Sequence, residues 1–284
     1  MPNYPANKLS TSDKTINILQ ITDLHLSTPV LVDPVLVDES NTYSDDMACQ
    51  HSFEAVLQQA LSEDIRCDLI IVTGDLVNRV KSSIYDHIFT VLQATQIPFA
   101  CIAGNHDVTD ENGKDLPFFQ RELVAQPADS RLLSRHVIET EYWQLLLLDS
   151  SISGKVAGEI TPTDINWLCE RLSTCNKPAL IALHHHIVPV DSDWIDTHMA
   201  ENTESFWQDM APFEQLQVVI SGHTHQEQVR LRQGVTVYST PSTCYQFKPY
   251  EDDFSYDEHA LPGYRWLQLA NNGTVASWVE RLDT

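Results

Sequence analysis

At 284 residues and 42% hydrophobic composition, the chain is long enough to bury a full core as one large domain, and no shift in composition marks a linker. Its 17 basic residues against 40 acidic ones, a formal charge of −23, exclude the many-phosphate grip that DNA or RNA recognition needs. No apolar run approaches the roughly 18 to 20 residues of a membrane span, and the polar start Met1 to Lys14 lacks a signal-peptide core, so a soluble cytoplasmic protein with no membrane partner is expected.

In chain order, the apolar run Ile16 to Thr22 reads as a buried strand and ends on Asp23-Leu24-His25. Residues 28–46, with two prolines and no sustained period, read as an excursion leaving the Asp-x-His loop. Residues 47–63 place Phe53, Val56, Leu57, Ala60 and Leu61 on one helical face. The strand Leu69 to Thr73 runs into Gly74-Asp75, and Phe99 to Ile102 runs into Gly104-Asn105-His106-Asp107. Tyr142 to Leu148 is a further strand, and residues 161–174 are an amphipathic helix with Thr161 as its cap and Ile165, Leu168 and Leu172 on its apolar face. Ala179 to Leu183 leads to His184-His185-His186, and Val218 to Ile220 leads to Gly222-His223-Thr224-His225. The strands Gln228 to Leu231 and Val235 to Tyr238 follow in a meander-like succession with Tyr142 to Leu148, which suggests a second, more mixed sheet. The acidic stretch Tyr250 to Leu261 reads as a solvated face.

Five clusters therefore stand at strand ends, where open α/β sheets bind their ligands, and all five offer imidazole nitrogen or carboxylate and amide oxygen. Divalent ions of the Mn, Fe and Zn type accept these donors. Each cluster alone has a plainer reading. Gly74-Asp75 suits an ordinary turn, and a second Asp-x-His triplet, Asp257-Glu258-His259, follows no apolar strand and reads as a solvated loop. It is the joint occurrence, in order and at strand ends, that points to a metal site. The six cysteines, Cys49, Cys67, Cys101, Cys169, Cys175 and Cys244, are dispersed with no C-x-x-C pair and are expected to be reduced thiols.

The series D-x-H, G-D, G-N-H-D, H and G-H-x-H, over roughly residues 16–240, resembles the calcineurin-like metallophosphoesterase superfamily. Leu183 to His186 with Pro189, the stretch Thr240 to Pro249, and Pro262 to Leu267 are similar to the bacterial class III cyclic 3',5'-AMP phosphodiesterases, although Ile187 stands where a proline would be expected after the histidines. The resemblance implies a four-layer α/β/β/α sandwich of two mixed sheets, a single domain over 1–284 with its core at about 16–240 and residues 241–284 completing or covering the site.

It further implies that Asp23, His25 and His225 bind one metal, that Asn105, His184 and His223 bind the other, and that Asp75 bridges the two. The ions implied are Mn or Fe, with Zn as the alternative. Such a pair, about 3.5 to 4 Å apart, activates water to attack phosphorus. His106 remains to protonate or stabilise the leaving oxygen, with Asp107 fixing its tautomer. His186 and His198 are candidates for substrate contact, and His185 is expected to face away. The implied reaction opens 3',5'-cyclic AMP to 5'-AMP, by a monomer or homodimer acting on a small cyclic nucleotide. The alternatives are a 2',3'-cyclic nucleotide or glycerophosphodiester hydrolase, or more remotely a non-catalytic scaffold on the same fold.

Overall fold

The computed structural model describes residues 7–9, 14–27, 45–108, 114 and 135–283. The excursion expected at 28–46 lies outside the described residues up to position 44. The chain runs β1 (Asn7–Lys8), β2 (Thr15–Ile21), α1 (Asp45–Ser62), β3 (Leu69–Thr73), α2 (Ser82–Ala94), β4 (Phe99–Ile102), β5 (Arg135–Glu139), β6 (Gln144–Leu148), α3 (Pro162–Thr174) and β7 (Ala179–Ala182). It continues through α4 (Asp193–Asp196), α5 (Thr203–Met210), β8 (Leu216–Ser221), β9 (Gln228–Arg232), β10 (Val235–Ser239), β11 (Gly263–Ala270) and β12 (Val275–Arg281).

These strands form two mixed sheets, ordered β1-β5-β6-β7-β8-β10-β9 and β12-β11-β2-β3-β4. Because side chains alternate along a strand, each sheet faces two cores. In the smaller sheet Leu69 and Ile71 point to the other sheet, with Ile16, Ile18, Leu267 and Leu269, and meet Leu145, Leu147, Leu180, Ala182, Val218 and Ile220. Ile70 and Val72 point the other way, onto Phe53, Val56 and Ala60 of α1 and Ile84, Ile88 and Leu92 of α2. The outer face of the larger sheet, through Leu146, Ile181 and Val219, receives Ile165, Leu168 and Leu172 of α3 and Phe206, Trp207 and Met210 of α5. The layers are therefore helix, sheet, sheet, helix, as expected. Strands buried on both faces need continuous apolar runs, which is why β3, β4, β6 and β7 read that way in the sequence.

Helix α3 starts where Thr161 dictates. Its Oγ1 accepts from Asp164 N at 3.1 Å while Asp164 Oδ2 accepts from Thr161 N at 3.1 Å, and Pro162 takes the first helical position. The meander strands β6, β9 and β10 all join the larger sheet.

The C-terminal stretch reaches further into the fold than a cover would. β11 lies between β12 and β2, antiparallel to both, and buries Tyr264, Trp266, Leu267 and Leu269. From the same strand, Arg265 is 1% exposed and donates to Thr240 Oγ1 (3.1 Å), Ser239 O (3.0 Å) and Ser277 Oγ (2.9 Å), with its guanidinium 4.6 Å from the Tyr238 ring. Burial pushes that guanidinium down to about 10. This satisfied cation ties the C-terminal strands to the end of β10, beside the loop that overhangs the strand ends.

One expectation is corrected here. Cys49 and Cys244, 195 residues apart, form a disulfide that joins α1 to that overhanging loop. Their separation in sequence hid a juxtaposition that only the packing of α1 creates. Cys67, Cys101, Cys169 and Cys175 are free thiols, with Cys101 buried.

Candidate metal centre

β2, β3 and β4 are mutually parallel, as are β7 and β8, so their carboxyl ends gather the five clusters at one rim between the sheets. Gln20 ties the two sheets there, donating to Thr73 Oγ1 and Ser221 O, both at 3.0 Å, and accepting from Thr240 Oγ1 at 2.8 Å. At the rim the backbone turns sharply. Asp23, His25, Asp75, His223 and His225 all adopt positive φ, between 49° and 66°. Asp and His tolerate this left-handed region better than most side chains, but it still costs free energy, and such residues cluster at functional sites.

Gly74 and Gly222 leave room for the approach. A Cβ on Gly74, itself at φ 97°, would overlap the His184 ring, and one on Gly222 would overlap Thr22 and Asp23.

The seven expected ligand side chains converge, and none is more than 8% exposed. Asp23 Oδ1 lies 3.2 Å from His225 Nε2, which lies 3.1 Å from His25 Nε2. Asp75 Oδ2 stands between the two groups, 3.7 Å from His25 Nε2 and 3.5 Å from His184 Nε2. His184 Nε2 is in turn 3.2 Å from Asn105 Oδ1 and 3.2 Å from His223 Nδ1.

Protons are the informative feature of this cluster. His25 donates Nδ1–H to Asn78 Oδ1 at 2.9 Å, His184 to Thr73 O at 2.8 Å and His225 to Tyr245 O at 2.8 Å. In a neutral imidazole the other nitrogen is then a lone pair, so the Nε2 atoms of His25 and His225 face each other and Asp23 Oδ1, while His184 Nε2 faces Asp75 Oδ2. The carboxylates are oriented likewise. Asp23 Oδ2 accepts from Thr22 Oγ1 (2.8 Å) and His223 N (3.0 Å), and Asp75 Oδ1 from His106 N (2.8 Å), which leaves Oδ1 of the first and Oδ2 of the second toward the centre.

Ionisation agrees with this. Burial alone would raise both carboxyls, but His184 and His106 hold Asp75 well below the usual range, and His225 holds Asp23 below it. Burial pushes His25 down to about 3 and His223 well down. At His184 burial works against the charge, yet Asp75 lifts it to about 9, so without a metal ion the carboxylate favours a proton on that ring. A set of carboxylate, amide and imidazole acceptors without sulfur fits divalent ions of the Mn, Fe and Zn type. Asp23, His25 and His225, and separately Asp23, Asp75 and His184, each bring their donor atoms within 4.8 Å of one another.

His106 sits at the edge of this group, its ring 4.8 Å from that of His25, and its Nδ1 donates to Asn78 O at 3.0 Å. It lines a cleft of about 530 Å³ with Ser27, Asn78, Arg79, Lys81 and Ile84. Asp107 does not fix its tautomer, contrary to expectation. Its Oδ2 accepts from Gly104 N (2.8 Å) and Leu76 N (3.2 Å), and its Oδ1 from Tyr85 Oη (2.6 Å). The short helical turn His106–Val108 aims the carboxylate back under the loop, where it holds the β3 and β4 ends together.

Of the three consecutive histidines, His184 meets Asp75, Asn105 and His223, and a nitrogen of His185 also lies within 4.8 Å of those of His184 and His223. Both His185 nitrogens have other partners, with Nδ1 2.8 Å from Ser150 Oγ and Nε2 3.0 Å from Val156 O. His186 is 1% exposed, packs behind His223 with ring centroids 5.8 Å apart, and has its Nε2 3.1 Å from Asp196 Oδ1. His198 lies beyond it, closing the turn after α4 through its backbone N–H to Ile195 O at 2.8 Å.

Sequence reasoning missed Asn78, whose side chain and carbonyl each take one histidine proton, and Tyr245, whose carbonyl takes a third. A polar amide three residues after Asp75, behind the apolar pair Leu76-Val77, was the available signal for the first.

The sequence profile of the calcineurin-like phosphoesterase family matches residues 16–227. The chain is 70% identical, over all 284 residues and the full length of both chains, to a probable cyclic nucleotide phosphodiesterase of Psychrobacter arcticus. It is 32% identical over 272 residues to the 3',5'-cyclic adenosine monophosphate phosphodiesterase CpdA of Vibrio vulnificus, covering 95% of this chain and 92% of that one. In fold it is similar to a dimetal phosphatase from Danio rerio, with a TM-score of 0.59 at 13% identity over 94% of this chain and 99% of that one.

Proposed function

Because the chain belongs to the calcineurin-like phosphoesterase family, we propose that it hydrolyses 3',5'-cyclic AMP to 5'-AMP at a two-metal centre formed by the seven converging side chains. The observation that supports this reading is the convergence of imidazole nitrogens and carboxylate oxygens at short range, an arrangement that divalent cations would hold together. The relatives named as a probable cyclic nucleotide phosphodiesterase and as a 3',5'-cyclic adenosine monophosphate phosphodiesterase, matched over nearly their full lengths, support the substrate.

Asp23, His25 and His225 would hold one ion and Asn105, His184 and His223 the other, with Asp75 shared. Two divalent cations there supply charge to offset the phosphoryl oxygens and acidity to water. Mn and Fe suit the donor set, with Zn as the alternative.

The chain's own contribution is to position and to move protons. Asn78, Thr73 and Tyr245 keep each Nδ1 protonated and so keep each Nε2 basic toward the centre. His106, held by the Asn78 carbonyl and lining the cleft, carries a proton on Nε2 to the departing 3' oxygen. Arg79 and Lys81 line the same cleft and offset, at its mouth, the field of a chain with net charge −23. His186, backed by Asp196, supports His223. The whole of 1–284 acts as one unit, since β11 and β12 complete the sheet that carries β2. Among the described residues no helix is long and apolar enough to cross a membrane. The proposed cytoplasmic site of action rests on the proposed substrate alone, because the Cys49–Cys244 bond removes the cysteine argument for it.

Purified, metal-loaded protein assayed against cyclic AMP, 2',3'-cyclic AMP, glycerophosphodiesters and phosphomonoesters tests this. Rapid turnover of cyclic AMP is expected. Negligible turnover beside fast hydrolysis of another ester transfers the function to that ester.

A further inference from the structure

The acidic stretch read from sequence as a solvated face is half of a small hairpin. Lys248 N donates to Ser255 O (2.9 Å), Asp257 N donates to Gln246 O (3.0 Å), and Phe247 and Tyr256 pair across it in antiparallel fashion. Its acidic residues Asp252 and Asp253 are exposed at the tip, and its inner aromatic residues Tyr245 and Phe247 pack against histidines of the metal centre. Phe247 stacks on His225 at 4.2 Å and 20°, and Tyr245 lies 5.0 Å from His25 and 4.8 Å from His225. From Phe247 the rings continue outward to Phe254 (5.4 Å), Tyr256 (5.9 Å) and Trp194 (4.9 Å).

The inner rings are half-buried, whereas the outer ones, though each meets other rings, stay largely open. Phe254 is 53% exposed and Tyr256 52%, and they stand edge-on to each other at 81°. A wet aromatic face continuous with a polar reactive centre is how a ligand cleft is built, with apolar walls and a few convergent polar groups. The phosphate belongs at the cationic end. The hairpin, with Glu251, Asp252 and Asp253 beside its rings, repels an anion and suits the uncharged end of the same molecule.

We propose that Phe254 and Tyr256 form the platform on which the base of the nucleotide substrate stacks, an assignment that rests on the cyclic-nucleotide reading above. Every base presents a π-face, so such a platform separates nucleotides from base-free esters and discriminates little between adenine and guanine. Tyr245 and Phe247 connect it to the metal ligands and set its distance from the reacting phosphorus.

The test compares cyclic AMP, cyclic GMP and methyl riboside 3',5'-cyclic phosphate, which keeps the ring ester and lacks the base, in wild type and in the Phe254→Ala/Tyr256→Ala double variant. The wild-type preference for cyclic AMP over the riboside, as a ratio of kcat/KM, is expected to fall by roughly 10- to 100-fold in the variant, with cyclic AMP and cyclic GMP affected alike. Phe254→Trp should restore most of it. A preference that survives the double substitution, or one absent from the wild type, overturns the platform. So does a variant in which riboside and cyclic AMP turnover fall together, because the hairpin would then serve only to support His225. Titration with 5'-AMP, followed by quenching of Trp194 fluorescence and controlled with Trp194→Phe, keeps the two readings apart. If cyclic AMP is not hydrolysed but 5'-AMP quenches wild type and not the double variant, the platform stands and the reaction must be reassigned. If 5'-AMP fails to quench wild type, the platform falls whatever the reaction.

Discussion

His25 and His225 meet Nε2 to Nε2 at 3.1 Å, each with its Nδ1 proton already donated, to Asn78 Oδ1 and to the Tyr245 carbonyl. Two imidazole lone pairs at that range repel unless a cation or a proton lies between them. Asp23 Oδ1, 3.2 Å from His225, adds a negative charge at the same place.

Asp75→Ala should therefore lose both ions rather than one, because Oδ2 faces His25 and His184 together. Elemental analysis of the purified variant measures this. Retention of one full equivalent would show that the carboxylate serves a single site. Chelation of the wild-type protein should also lower Tm, since ions bound only by the folded chain at about 100 times their Kd contribute about 2.7 kcal/mol.

His106→Ala should keep its metal and lose turnover, by roughly the 10² to 10⁴ typical of a lost general acid. Its ring donates to Asn78 O and lines the cleft, so the seven donors need not move. An ester with a better leaving group should show a smaller loss, because less proton is then required at the departing oxygen. Equal losses on both esters, or a fall in metal content, would remove the proton-transfer role.

Tyr85→Phe removes one of the three donors to buried Asp107. Hydrogen bonds to a charged acceptor contribute about 1.5–3 kcal/mol, so chemical denaturation should show a loss of that order. Burial, followed by Asp75, already raises the Asp107 carboxyl to about 6, and loss of the phenol raises it further. A group whose folded pKa lies above its unfolded value takes up its proton more readily in the fold. The variant should accordingly be less impaired near pH 5 than at pH 8, and a pH-independent loss would contradict this account.

Cys49→Ala opens a link between residues 195 apart in sequence and should destabilise the fold by about 2–4 kcal/mol. Urea unfolding with and without reductant checks it: wild type should weaken on reduction, and the variant should not respond.

Much of the site was legible in the sequence. Asp23, His25, Asp75, Asn105, His184, His223 and His225 each follow an apolar run that reads as a buried strand, and the structure brings all seven together. Alternation of strands and helices made an α/β fold with a second, more mixed sheet legible, and the four layers came from the family resemblance. The turn of Asp107 was not legible. Nothing local distinguishes a carboxylate that turns toward His106 from one that turns under the loop to Leu76, Gly104 and Tyr85.

What the order of residues determined by itself was donor chemistry and its place at strand ends, because both are local: residue type decides the atom offered, and apolar runs decide where a strand stops. Tertiary packing alone decided which proton sits where, where Asp107 turns, that β11 lies beside β2, and that Cys49 meets Cys244. Those outcomes join positions up to about 250 residues apart, and a contact between distant segments is set by how layers stack, which no single window of sequence contains.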